Sequence, residues 1–380
     1  MVLRFRDYFF STCLHHINPS HTRPIDLPSS LSSPPPKYWY QMPSDPAETL
    51  DPEDILWFSY DWCSLPWSPW IPFSADRHAF HEIPNEPGLF RIREVGTDYL
   101  MYIGETKRPL RQRLHDLIIE LSRAEQMPWS EPHAEAPALW AYQKERQPVP
   151  ERETNILDSA PPKKTSGLHE DEVTPGGAEA TIPEPCGYEC SATSLDASLG
   201  GRKGMESFLL YQYRQEYGSS PLCNFGRFHP RYRKSTNKKE NKRGGKLDTD
   251  QKDNPAGFPS ITPLEVVGTP GDPDWMGLEW AGYQPLSAES LEGVAPGAGL
   301  YLLADAGSQE IVYIGQSADV AQRLRDHCRR SWDERTLTFS YQIIGQSVLP
   351  HNLRELENDL IGNFFQQNKK APAFQFRTSR

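Results

Sequence analysis

Residues 299–317, GLYLLADAGSQEIVYIGQS, hold the signals from which the architecture follows. Two runs rich in apolar, β-branched and aromatic residues flank Ala306-Gly307-Ser308, which predicts a β-hairpin turning at those three residues. The segment ADVAQRLRDHC follows as a helix, with Ser317 placed to cap it. A third strand over 337–344 and a final helix complete a small unit.

The same pattern occurs earlier. Pro87-Gly88-Leu89-Phe90 precedes Tyr102-Ile103-Gly104 as Gly299-Leu300-Tyr301 precedes Tyr313-Ile314-Gly315, with fourteen positions from glycine to tyrosine in each. The first hairpin turns at Gly96-Thr97-Asp98, and Pro109 suits the first turn of the helix LRQRLHDLIIEL. Glu206, Pro221 and Asn224 stand fifteen and three residues apart, and Glu357, Pro372 and Gln375 repeat that spacing. Upstream, Trp57 and Trp62 precede the first copy as Trp275 and Trp280 precede the second. Such spacing, kept at several separate points, marks an internal duplication. It predicts an α/β (α+β) chain with two small domains, each a three-stranded, mostly antiparallel sheet flanked by helices.

The final helices carry an anomaly. At 100° per residue, Leu353, Leu356, Leu360, Ile361 and Phe364 define one face, with Glu357 near its middle and Glu355 on the far side. In the first copy Leu209, Leu210, Tyr213 and Tyr217 define the face, and Glu206 falls at its centre. A buried carboxylate needs an arginine, a hydrogen-bond network or a metal. The same anomaly in both copies favours function over a structural ion pair. On the helix after Tyr-Ile-Gly, Arg323 and His327 lie four apart on one face. In the first copy two registers stay open: Arg113 in the matching Arg-Leu dipeptide, or Arg111 with His115 four residues on.

Outside the repeats the chain is polar. Only 37% of the 380 residues are hydrophobic and 36 are proline, which implies long stretches outside any core. The expected organisation is a flexible extension over 1–46, a first domain over 47–235 with a disordered insertion near 148–186, a basic and polar linker over 236–272, and a second domain over 273–380. The six cysteines form no zinc-site pattern and are expected as free thiols. No apolar run approaches the roughly 20 residues that span a bilayer, so the expectation is a soluble, cytoplasmic protein with no membrane partner. The formal net charge of −11 argues against a polyanion as partner, but the charges are segregated. From Arg227 to Lys246 there are nine Lys and Arg against one Glu. With Phe228 and Tyr232 interleaved, Arg227, Arg231, Arg233, Lys234, Lys238, Lys239 and the helix residue Arg111 are the candidates for nucleic-acid contact.

The hairpin with GLF or GLY, the YIG triplet, an arginine on the next helix, a glutamate on a later helix and a terminal Asn resemble the GIY-YIG nuclease superfamily. The resemblance covers roughly residues 85–235, less the insertion, and 295–380. It implies metal-dependent hydrolysis of DNA phosphodiester bonds, leaving a 5′-phosphate and a 3′-hydroxyl. On that resemblance Tyr102 and Tyr313 orient or activate the attacking water, and Tyr301 lies beside the scissile phosphate. Arg113 (or Arg111) and Arg323, with His115 and His327, stabilise charge on the phosphoryl oxygens, and Asn224 closes the site. Glu206 and Glu357 each hold Mg²⁺ (or Mn²⁺). Two departures stand out: Phe90 replaces a tyrosine in the first copy, and Gln375 replaces an asparagine in the second. They support an alternative, a DNA-binding protein with one or both sites degenerate. The duplication is compatible with a monomer, and on the resemblance two sites in one chain would cut both strands of a duplex without dimerisation.

Overall fold

The computed structural model describes residues 55–73, 79–122, 125–146, 187–345 and 347–377; the expected 1–46 extension and 148–186 insertion lie outside them. The chain divides into two compact units, Met1–Pro66 and Trp67–Arg380. Both repeats' sheets belong to the second, so the two copies share one unit instead of forming successive bodies.

The first copy contains β1 (Ile71–Pro72), β2 (Gly88–Glu94), β3 (Leu100–Thr106), α1 (Leu110–Ser122), α2 (Ala136–Arg146), β4 (Tyr188–Ser194) and α3 (Leu199–Tyr217). A two-stranded ribbon, β5 (Tyr232–Arg233) with β6 (Gly245–Lys246), follows. The second copy contains β7 (Gln284–Pro285), β8 (Gly299–Asp305), β9 (Ile311–Ser317), α4 (Val320–Cys328), β10 (Leu337–Ile343) and α5 (Pro350–Asn368). Each hairpin pairs as its apolar, β-branched and aromatic runs predict, and a third long strand joins the other side of its first strand. A two-residue strand from the lead-in adds a fourth, giving the antiparallel orders β1-β4-β2-β3 and β7-β10-β8-β9. The copies even share a bulge, after Ile92 in β2 and after Leu303 in β8.

Two local expectations change. Asp319, not Ser317, caps α4 by accepting the Gln322 amide at 3.0 Å, because Ser317 still belongs to β9 and its hydroxyl holds the connecting turn. The tryptophan register also shifts. Trp62 opens a single 3₁₀ turn after Asp61, with Cys63 at φ +56°, and Trp275 opens the matching turn after Asp274, with Met276 at φ +58°. The true counterparts are therefore Asp61-Trp62-Cys63-Ser64-Leu65-Pro66-Trp67 and Asp274-Trp275-Met276-Gly277-Leu278-Glu279-Trp280. Trp57 lies outside the repeat.

Helices α3 and α5, the two that carry the anomalous glutamates, pack on one another, and the contact is isologous. Equivalent residues are 151 apart, as Glu206 and Glu357 are. Asn358 Nδ2 donates to the Ser207 carbonyl at 3.1 Å, and Gly362 lies against Tyr211; in both pairs the partners are each other's counterparts. Gly204 faces Phe365, and the counterpart pair is Glu355 with Arg214. Phe208 meets Phe365 at 6.2 Å, and the counterpart pair is Asp359 with Arg214. Such reciprocity is the signature of two-fold symmetry, here inside one chain.

This packing overturns one sequence-based expectation. Glu355 is fully buried, as is Asp359, because α5 is covered on two faces. Arg214 grips Asp359 through Nε at 2.7 Å and Nη2 at 3.0 Å, while Glu355 accepts from Ser260 Oγ at 2.6 Å and the Ile261 amide at 2.9 Å. Burial pushes the Asp359 carboxyl up, and Arg214 pulls against it. Residues 236–272, expected as a linker, contribute to this closure. Ile261 and Leu264 pack on the second core, and the Leu264 amide donates to Asp359 at 3.1 Å. Asn254 holds the other end by donating to the Tyr232 carbonyl at 2.9 Å.

Candidate active site

In the second copy the hairpin sets two tyrosine rings side by side. Tyr301 pairs across the ladder with Gly315, and a side chain at that glycine would collide with the Tyr301 ring. The glycine of Tyr-Ile-Gly thus opens the space into which Tyr301 lies, stacked on Tyr313 at 6.1 Å between centroids. Arg323 and His327, one turn apart on α4, close over the pair. Arg323 Nε donates to Tyr301 Oη at 3.4 Å and also hydrogen-bonds Tyr313, and His327 Nε2 lies 2.8 Å from Tyr301 Oη. Burial, then the charges of Arg323 and Arg330, depress the His327 pKa to about 4, so the imidazole is neutral near neutrality. With Tyr301 Oη accepting from Arg323, its own proton is directed to the His327 Nε2 lone pair. Burial raises the Tyr301 pKa, so the hydroxyl stays protonated. Trp332, which sequence reasoning missed, donates Nε1 to the His327 carbonyl at 3.0 Å and walls the cluster.

Glu357 approaches from α5. It is half-buried, and its carboxylate is tied to the backbone of Gln316, the residue after Gly315. Desolvation pushes its pKa up to about 7, opposed by that hydrogen bond and by Arg354 and Arg323. Arg323 itself is exposed, while Glu357 beside it is half-buried. Gln375, the departure at the end of the motif, accepts from the Ile314 amide and donates to the Ile314 carbonyl, each at 2.9 Å. Asn224 does the same to Ile103 at 3.0 and 2.8 Å. The longer amide reaches, and each residue clamps the edge strand of its own sheet.

The first copy shares the frame and differs in the cluster. Glu206 is half-buried, tied to the backbone of Glu105, the counterpart of Gln316, and its pKa is raised to about 7, chiefly by burial. Lys203 pulls it down, while Glu105 and Glu135 push it up. Phe90 lies on Tyr102 at 5.8 Å, and Arg113 stands over the Phe90 ring at 5.4 Å. Of the two registers left open, Arg113 is the one at the Phe90 ring, and Arg111 donates to the carbonyls of His81 and Ile83. His115 is half-buried on α1, and the residue at the His327 position, four after Arg113, is Leu117. Arg113 is buried and engaged by Glu135 and His133, both buried in the segment between α1 and α2. Neither had a counterpart in the repeat, so no sequence signal marked them. A signal did exist for Lys203 and Arg354, each three residues before its glutamate. Lys203 lies 5.9 Å from the Phe376 ring and Arg354 donates to the Phe225 carbonyl at 2.9 Å, so each crosses to the other copy's terminal loop.

The basic run is largely consumed by structure. Arg227 donates to the Ser220 carbonyl, and Arg231 binds Asp253 and three carbonyls. Lys234 is half-buried, and desolvation lowers its pKa. Arg233, Lys238 and Lys239 are exposed. Among the described residues no group of three or more His, Cys, Asp or Glu converges as a metal cage, and no helix is long and apolar enough to cross a membrane. The described cysteines 63, 190, 223 and 328 are free thiols. Comparison of the chain with protein-family models, with curated proteins and with solved structures finds no match in any of the three.

Proposed function

We propose that this protein is a metal-dependent phosphodiesterase of the GIY-YIG type acting on DNA, with the second copy as the working site. One observation carries the reading: a half-buried glutamate of raised pKa feels the charge of an exposed arginine that hydrogen-bonds two tyrosines. Arg323 meets the phosphoryl oxygens, where its charge counts for more than in bulk water. Tyr313 orients the attacking water, and Tyr301, fixed by neutral His327, keeps Arg323 in place. Water oxygen adds to phosphorus, the bond to the 3′-oxygen breaks, and the leaving oxygen departs protonated, so the products are a 5′-phosphate and a 3′-hydroxyl. The donor set fits a hydrated Mg²⁺ or Mn²⁺, since a single carboxylate without a neighbouring protein cage suits an ion that keeps its waters and takes up substrate oxygens. Bound at Glu357, that ion would supply positive charge to the five-coordinate phosphoryl transition state.

The first copy supports a second role. Arg113 is spent on Glu135, and Phe90 has no hydroxyl, so this half serves as a platform for DNA and as the partner that packs α5. Supercoiled plasmid incubated with Mg²⁺ or Mn²⁺, with and without EDTA, tests the proposal through end mapping. The expected outcome is metal-dependent cutting that Glu357→Gln abolishes. Tight binding with no metal-dependent cutting would leave only the DNA-binding reading.

A further inference from the structure

A groove of 1360 Å³ starts at Arg323, passes Arg330 and the chain end over 369–377, and finishes against the first turn of α3 in the other copy. Its charge is lopsided. Arg323, Arg330, Lys369, Lys370 and Arg377 line it against one acid, Asp333, which Arg377 already engages. On a chain of net charge −11, cations gathered in one trench are complementary to a polyanion. The Lys370 pair with Glu310 is exposed on both sides, so it is readily exchanged for a phosphate. At the far wall, α3 has nineteen residues, and Ser198 accepts the Gly201 amide at 3.2 Å. Gly200 has nothing near the place a side chain would occupy, so the positive end of the helix is open to the groove. Phe376, half-buried beside Lys203, supplies a ring to the floor.

We infer that this groove holds a single-stranded segment of nucleic acid flanking the scissile phosphate. Its volume exceeds the roughly 300–1,000 Å³ typical of a small-ligand pocket. An aromatic floor under cationic walls takes unpaired bases and their backbone together, whereas a duplex keeps its bases stacked on each other. The preferred substrate is then DNA with an unpaired flank: frayed, branched or displaced. The inference rests on the phosphodiesterase reading for the chemistry at one end, but strand binding does not require that chemistry.

Fluorescence anisotropy in EDTA, with a labelled single strand, a blunt duplex of the same sequence and a duplex carrying an unpaired flank, separates binding from cutting. The strand and the flanked duplex bind tighter than the blunt duplex. Lys369→Glu with Arg377→Glu weakens strand binding about tenfold or more and reduces the slope of log K against log salt by about 1.4, at roughly 0.7 per lost phosphate contact. Phe376→Ala weakens it about fivefold or more with the salt slope unchanged, and it keeps the test open if the charge-reversal pair fails to fold by circular dichroism. Equal affinity for blunt duplex, or displacement of the strand by polyglutamate as readily as by unlabelled strand, overturns the inference. Strand binding without any metal-dependent cutting removes the phosphodiesterase reading and leaves the groove standing; cutting without strand preference does the reverse.

Discussion

Phe90 and Leu117 occupy the places that Tyr301 and His327 hold in the second copy, and the two replacements belong together. A buried tyrosine hydroxyl and a buried imidazole nitrogen satisfy each other at 2.8 Å; removing both leaves two apolar side chains and an exposed Arg323 that can bond water in place of the hydroxyl, whereas removing one strands its buried partner. Tyr301→Phe or His327→Leu alone is expected to cost about 1–3 kcal/mol. The double variant is expected to recover about 1 kcal/mol or more of the summed loss in a urea-denaturation cycle, and strictly additive losses would show that the pair is not coupled. Glu357 offers a second test at this scale, because its pKa is raised from 4.5 to about 7. Below 4.5 both folded and unfolded states hold the proton. Between 4.5 and 7 the unfolded chain releases it while the fold retains it, so stability falls as pH rises through this window, and the loss is complete above 7. Glu357→Gln is therefore expected to raise Tm at about pH 8 and change little at about pH 4. Added Mg²⁺ should raise the Tm of the parent above pH 7 and leave that variant unmoved; equal shifts in both would place the ion elsewhere.

At the scale of elements, α3 against α5 joins the copies, and its closest approach depends on a missing side chain. Any Cβ at Gly362 would collide with Tyr211 and come within 2.7 Å of the Ser207 carbonyl. Gly362→Val is expected to cost 3 kcal/mol or more by overpacking, measured as a fall in Tm, while Gly200→Ala, with open space around it, should be close to neutral; similar Tm values for the two would sink the packing argument. Much at this level was legible in the sequence. Apolar, β-branched and aromatic runs about a short turn marked both hairpins, and a carboxylate at the centre of an apolar helix face marked Glu206 and Glu357. What escaped did so for physical reasons. A single-helix projection assumes one buried face, so it placed Glu355 on the far side and said nothing of Asp359, although α5 is buried on two. Trp57, Trp62 and Trp67 are evenly spaced, so spacing alone did not choose between two alignments; the positive φ at Cys63 and Met276 did. His133 and Glu135 lie where the copies diverge, and no repeat pointed to them.

At the scale of the molecule, one pseudo-two-fold frame carries two unlike clusters. Both keep the clamp amide, the glycine under the ring and the glutamate tied to the following backbone. Only the second leaves its arginine exposed, since Glu135 already neutralises Arg113. A buried, paired guanidinium must break an ion pair in a low-dielectric setting before it meets a phosphate, and that loss is not returned by a transition state that needs the same charge. On the proposed phosphodiesterase reading, one strand is therefore expected to be cut per encounter. On supercoiled plasmid with Mg²⁺ the expected product is the nicked circle, with linear DNA arising only later from independent nicks. Glu357→Gln should abolish nicking, by about 10²-fold or more, while Glu206→Gln retains it within about threefold. Linear DNA appearing in parallel with nicked circles, and lost in the Glu206 variant, would instead make both copies cutting sites and the seal on Arg113 reversible.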